Sequence, residues 1–151
     1  MADIKQLVKL TTKGAWDEGV KTSIYIRDFA PVIMDEPEDL GGTNQGANPM
    51  EYVLASLTGC ASVMISMISK EKNFQYSRVE FENTGVLDVR GLMGVPSVSP
   101  HFQTVRYHVR LTTDESVERV DELRKEVERR CPVYNLLKDA GVHVQSTWTI
   151  K

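Results

Sequence analysis

Cysteine and histidine are scarce in this chain, and neither sign of charge is in large excess. Two cysteines, Cys60 and Cys131, in 151 residues are too few for the dense disulfide framework of a small secreted domain. They leave either free core thiols or a redox pair. The three histidines, His101, His108 and His143, are scattered, with no CxxC knuckle or HExxH helix to gather a metal, so a zinc site is not expected. A net charge of −3 and the lack of a basic stripe remove the electrostatic footprint of a nucleic-acid binder. No lysine-rich amphipathic helix recommends a membrane surface. The first ten residues, MADIKQLVKL, lack the apolar core of a signal peptide, and the longest apolar stretch is interrupted by Ser, Thr and Gly. A cytoplasmic protein with no membrane span is the expectation. There is no internal repeat and no low-complexity tract.

What remains is ordinary for a globular protein: 41% hydrophobic and 26% charged residues, in a length that suits one domain over residues 1–151. Its parts are an N-terminal meander and loop (1–47), a central helix (48–70), and strands with a second helix (77–151). The central stretch, NPMEYVLASLTGCASVMISMISK from Asn48 to Lys70, opens with a strong start signal. Asn48 can cap, Pro49 loses no needed N–H, and Glu51 stands where a capping-box carboxylate reaches back. Val53, Leu54, Leu57, Val63, Met64, Ile65, Met67 and Ile68 wrap more than one face, which predicts a buried helix. Small residues surround Cys60: Ala55, Ser56, Gly59, Ala61 and Ser62.

Upstream, alternation at Leu7, Lys9 and Thr11, at Val20, Thr22, Ile24 and Ile26, and at Val32 and Met34 predicts an antiparallel meander. Its turns are expected at Gly14–Gly19 and Asp28–Pro31. Asp35–Ala47 reads as a long, turn-rich connection to the central helix. Downstream, Val79, Phe81, Asn83, Gly85, Leu87 and Val89 predict a fourth strand, and Phe102–Leu111 a fifth, with Val105, Tyr107 and Val109 on its apolar side. Thr113 or Asp114 can cap a helix reaching about Arg130, with Val117, Val120, Leu123 and Val127 on one face. Pro132 ends that helix and can start a short one. A last strand follows Gly141, and the fold class is α+β.

The thiols differ in setting. Cys131 precedes a helix N-terminus, and Arg129 and Arg130 flank it; both features favour a thiolate. Cys60 sits in mid-helix among apolar neighbours, where burial opposes ionisation.

The segments DEPEDLGGTNQGANPMEYVLASLTGC and RRCPVYNLL, with the order of elements, resemble the family of osmotically inducible protein C and the organic hydroperoxide resistance proteins, its broader OsmC-like branch in particular. That resemblance implies an OsmC-like fold of about six mostly antiparallel strands around a long buried helix, in an intertwined homodimer. It further implies a thiol peroxidase that needs no metal, flavin or haem and is recycled by a dithiol of the lipoyl type. Cys60 would attack an organic hydroperoxide and Cys131 would resolve the sulfenic acid as a disulfide. Glu51 corresponds to the family's site carboxylate, displaced by one residue because Met50 follows Pro49. The arginine of the family's first hairpin is missing, leaving Lys13, Lys21 or Arg27 as substitutes. These departures carry the alternative of a non-peroxidatic thiol protein that binds an apolar small molecule or carries sulfur.

Overall fold

A computed structural model describes residues 5–151, and its contacts divide into two compact units, one ending at Tyr52 and the other running from Val53 to Lys151. The first holds β1 (Lys13–Glu18), β2 (Lys21–Tyr25) and β3 (Val32–Met34) in an antiparallel meander. β1 corrects the sequence expectation. Residues 5–12, read as the first strand, have no regular structure, and Leu7 and Leu10 are exposed. Most of the stretch expected to turn, Gly14 to Glu18, is itself strand. The hairpin instead turns at Gly19 and Val20, where Gly19 adopts φ 51°, as a two-residue connection between twisted strands requires. The Trp16 indole donates to Gly19 O at 2.9 Å, and the Ser23 hydroxyl to Asp17 at 2.7 Å. Ile4, the start of the expected meander, lies outside the described residues.

The connection from Asp35 to Ala47 is ordered around one buried carboxylate. Asp35 Oδ1 accepts the Glu36 N–H at 2.8 Å; Oδ2 accepts the Thr43 N–H and hydroxyl at 3.2 and 2.7 Å and the Gln45 N–H at 3.1 Å. The Thr43 hydroxyl, then the N–H groups, outweigh burial and pull the Asp35 carboxyl down to about 2. Gly42 is required here, because a Cβ at that position would lie 1.8 Å from Glu36 O.

α1 (Pro49–Glu71) begins with a capping box: Asn48 Oδ1 accepts the Glu51 N–H and the Glu51 carboxylate accepts the Asn48 N–H, each at 2.8 Å. Tyr52 ties this first turn to β3 by donating to Ile33 O at 3.2 Å.

In the second unit, β4 (Arg78–Leu87), β5 (Phe102–Thr112) and β6 (His143–Ile150) form a sheet in that order. β4 and β5 are antiparallel; β5 and β6 are parallel, joined through α3 (Val117–Arg130) and α4 (Pro132–Asp139). The core face of β5 is Phe102, Val105, Tyr107, Val109 and Leu111. Val89, expected at the end of the fourth strand, instead opens a single helical turn, α2 (Val89–Leu92), because the Asp88 carboxylate caps Arg90 N–H. The cap of α3 is Ser116, not Thr113 or Asp114; the Thr113 hydroxyl is engaged with Gln75 O and the Glu115 N–H.

α1 is buried along one stripe, Leu57, Ala61, Ile65 and Ile68, at helical spacing. The all-round burial expected of it is not reached in the single chain: Val63 is 55% exposed and Met67 46%, since one sheet covers one side of a cylinder. By length and composition alone this helix could also cross a membrane, although core helices share that composition. Its end is a Schellman turn with Asn73 at φ 50° and the Phe74 N–H on Ser69 O at 2.8 Å. Arg119 donates to the Lys72 and Asn73 carbonyls, both at 3.1 Å.

Candidate functional site

The second unit brings Cys60 and Cys131 together. Cys131 is the hinge residue between α3 and α4: its N–H still donates to Val127 O at 2.8 Å, and its carbonyl accepts the Asn135 N–H at 3.1 Å. Pro132 forces the break, since the residue before a proline avoids the α region, and Cys131 accordingly sits at φ −71°, ψ 114°. The Asn135 side chain stitches the corner shut. Its amide donates to Glu128 O at 2.9 Å and Cys131 O at 2.8 Å, satisfying carbonyls that the helix end leaves open.

Both thiols are free; Cys131 is buried and Cys60 half-buried. The two thiols are close enough for Cys60 to bear on the ionisation of Cys131. Burial, together with the thiol of Cys60 beside it, pushes Cys131 up to about 11, against the opposing pull of the backbone N–H groups of Tyr134 and Val133. The thiolate expected there is therefore corrected to a neutral S–H at physiological pH. The flanking cations are spent elsewhere: Arg129 pairs with Glu126, and Arg130 with Glu71 at 2.6 Å.

α1 is anchored beside the sulfurs by Asn83 of β4, whose amide donates to Leu54 O at 3.2 Å and to the Thr58 hydroxyl at 2.7 Å. Directly across from Asn83 in the β4–β5 ladder stands Tyr107. Its ring lies 6.3 Å from that of Tyr134 and 6.5 Å, edge to face, from that of Trp148. Tyr107 is 1% exposed, and its hydroxyl has no hydrogen-bond partner among the described residues.

A family model described as OsmC-like protein matches residues 42–147, which contain both cysteines. The chain belongs to the OsmC-like family. Solved structures agree in fold. An OsmC-like protein from Mycoplasma pneumoniae is 16% identical with a TM-score of 0.83, over 95% of this chain and 97% of that one. An organic hydroperoxide resistance protein from Elizabethkingia anophelis is 15% identical with a TM-score of 0.78, over 98% and 100%. One from Legionella pneumophila is 18% identical with a TM-score of 0.75, over 96% and 99%. At such identities the likeness is one of fold. No curated protein matches the sequence.

The remaining expected site residues of this OsmC-like chain lie in its first unit. Glu51 is engaged in the capping box. Lys21 donates to Glu18 at 3.4 Å and to Gln45 at 3.2 Å. Arg27, with φ 48°, stacks its guanidinium 4.6 Å from the Phe29 ring centroid. Lys13 opens β1. Among the described residues no cluster of His, Cys, Asp and Glu is placed to hold a metal ion. Leu57, one of the apolar residues that predict a buried helix, is fully buried in the core. Sequence reading passed over Asn135 and Tyr107: the first looks like any residue of a short helix, and the second like core aromatic surface.

Proposed function

We propose that this protein is a cysteine-based peroxidase that reduces organic hydroperoxides, with Cys60 attacking and Cys131 resolving. The observation that carries the reading is the asymmetric thiol pair: a half-buried Cys60 beside a buried Cys131 whose proton is held in place. An attacking thiol needs access, whereas a resolving thiol needs proximity and can wait as S–H. Cys60 as thiolate displaces alkoxide from the O–O bond and becomes a sulfenic acid. The Cys131 sulfur then attacks it, and water leaves as the disulfide forms. An external dithiol of the lipoyl type restores both thiols by exchange. The family membership and the names of two structural neighbours, organic hydroperoxide resistance proteins, support the substrate class. The working form is a homodimer, supported by the exposed Val63 and Met67 on α1 and by Trp16 and Phe29 in the first unit. Glu51 serves the helix cap.

A second reading, a non-peroxidatic thiol protein that carries sulfur or binds an apolar molecule, is favoured by one observation. The β1–β2 hairpin has no arginine, and its Lys21 is already held by Glu18 and Gln45.

Stopped-flow oxidation of the reduced protein by cumene hydroperoxide and by hydrogen peroxide, with thiol counting, separates the two. The peroxidase predicts fast oxidation selective for the organic peroxide, lost by about a thousandfold or more in Cys60→Ser. Cys131→Ser should stop at the sulfenic acid. Oxidation of the wild type no faster than that of a free thiol would overturn the peroxidase and leave the second reading.

A further inference from the structure

The buried Tyr107 hydroxyl has no hydrogen-bond partner among the described residues. Leaving a buried hydroxyl without a partner destabilises a fold, and phenylalanine would fill the same space at no such cost. The hydroxyl therefore calls for an explanation outside packing. Its surroundings narrow the choice. Tyr107 occupies the central strand of its sheet, paired with Asn83 on one side and Ser146 on the other. Asn83 holds α1 at Thr58, two positions before Cys60. Tyr134, whose ring adjoins that of Tyr107, lies in the first turn of the helix that Cys131 precedes. Both sulfurs are near enough to act electrostatically on the phenol, yet it is hydrogen-bonded to neither.

We propose that Tyr107 is a catalytic donor for the second half of the thiol cycle: its hydroxyl hydrogen-bonds the oxygen of the Cys60 sulfenic acid and helps it leave when Cys131 attacks. This rests on the peroxidase reading above. Oxidation of Cys60 adds one bond length and a good acceptor where the reduced site offers the hydroxyl none. In the step itself the S–S bond forms as the S–O bond breaks. The departing oxygen takes the Cys131 proton and leaves as water, and Tyr107 keeps its own proton. Burial raises the Tyr107 phenol far above neutral pH, so it acts as a donor and not as a base.

The test compares wild type with Tyr107→Phe in the full-length protein along two routes to the same disulfide. Stoichiometric cumene hydroperoxide passes through the sulfenic acid; diamide closes the disulfide with a nitrogen leaving group and no sulfenic oxygen. The expected result is peroxide-driven closure slowed roughly tenfold, the scale of losing one hydrogen bond to the departing oxygen. Initial Cys60 oxidation and diamide closure should be unchanged, with Tm of the reduced form equal or higher. Equal closure rates after peroxide would overturn the proposal, as would equal slowing by both routes, which marks a packing role. A wild type that forms no sulfenic acid overturns the peroxidase reading and this proposal with it.

Discussion

Asp35 in the first unit and Cys131 in the second are equally buried, each 1% exposed, and their ionisation is pushed in opposite directions. Asp35 is surrounded by donors, the Thr43 hydroxyl above all, and is held as a carboxylate down to about pH 2. Cys131 has burial and a second thiol against it and stays protonated up to about pH 11. Around Asp35 both carboxylate oxygens have partners. In the second unit the Tyr107 hydroxyl, the Trp148 indole N–H and Asn83 Oδ1 are buried without a partner among the described residues, whereas in the first unit only Glu36 Oε2 is. A saturated polar centre makes a loop rigid, while an unsaturated one keeps hydrogen-bonding capacity for chemistry still to come.

The strongest way to break this contrast is at its saturated pole. Asp35→Ala removes the acceptor of Thr43, Glu36 and Gln45 donors at once and should lower Tm by roughly 5–15 °C, read by thermal unfolding. The acid limb follows from the same group. Its folded pKa lies below its unfolded value, so its stabilisation is present above about pH 4 and is lost as pH falls toward about 2. Thr43→Val removes the largest contributor and should flatten that limb in urea titrations between these two pH values. An unchanged limb would mean that other carboxylates govern it.

How legible these two centres were differs for a physical reason. Local signals set the start of α1 at Asn48-Pro49-Glu51 and the break before Pro132, because caps and prolines act within a few residues. The alternation of β5 was equally plain. The first strand was misplaced because alternation in residues 5–12 mimics a strand, while pairing is decided by the tight turn at Gly19. The α3 cap was ambiguous because Thr113, Asp114 and Ser116 all suit the role, and a long-range bond from Thr113 to Gln75 O removes one of them. Tyr107 and Asn135 gain their meaning from pairing across the sheet and from the α3–α4 corner, which no window of sequence contains.

At the other pole, Asn135→Ala should cost about 1–3 kcal/mol, the usual consequence of leaving a buried carbonyl unpaired, because Glu128 O loses its amide donor while Cys131 O keeps only the backbone N–H of residue 135. The alkaline limb sharpens the contrast with Asp35. The folded pKa of Cys131 is raised above its unfolded value, so its stabilisation is complete below about pH 8.5 and disappears as pH rises toward about 11. Denaturant midpoints of wild type should fall over this interval more steeply than those of Cys131→Ser. Matching slopes would remove Cys131 from the pH dependence.

The smallest effect is expected at Glu51, and it decides whether that carboxylate belongs to the cap or to the thiol chemistry. Glutamine at this position can still accept the Asn48 N–H and complete a capping box, so Glu51→Gln should change stability by only a few tenths of a kcal/mol. With Glu51 confined to the bond it makes to Asn48, the rate of peroxide-driven thiol loss should also stay within about twofold of wild type. A drop of a hundredfold or more with unchanged Tm would show that the carboxylate leaves the cap during turnover and acts on the peroxide or the attacking sulfur. The first unit would then contribute to the chemistry as well as to the scaffold, and the division between a saturated structural centre and an unsaturated reactive one would no longer follow the boundary between the two units.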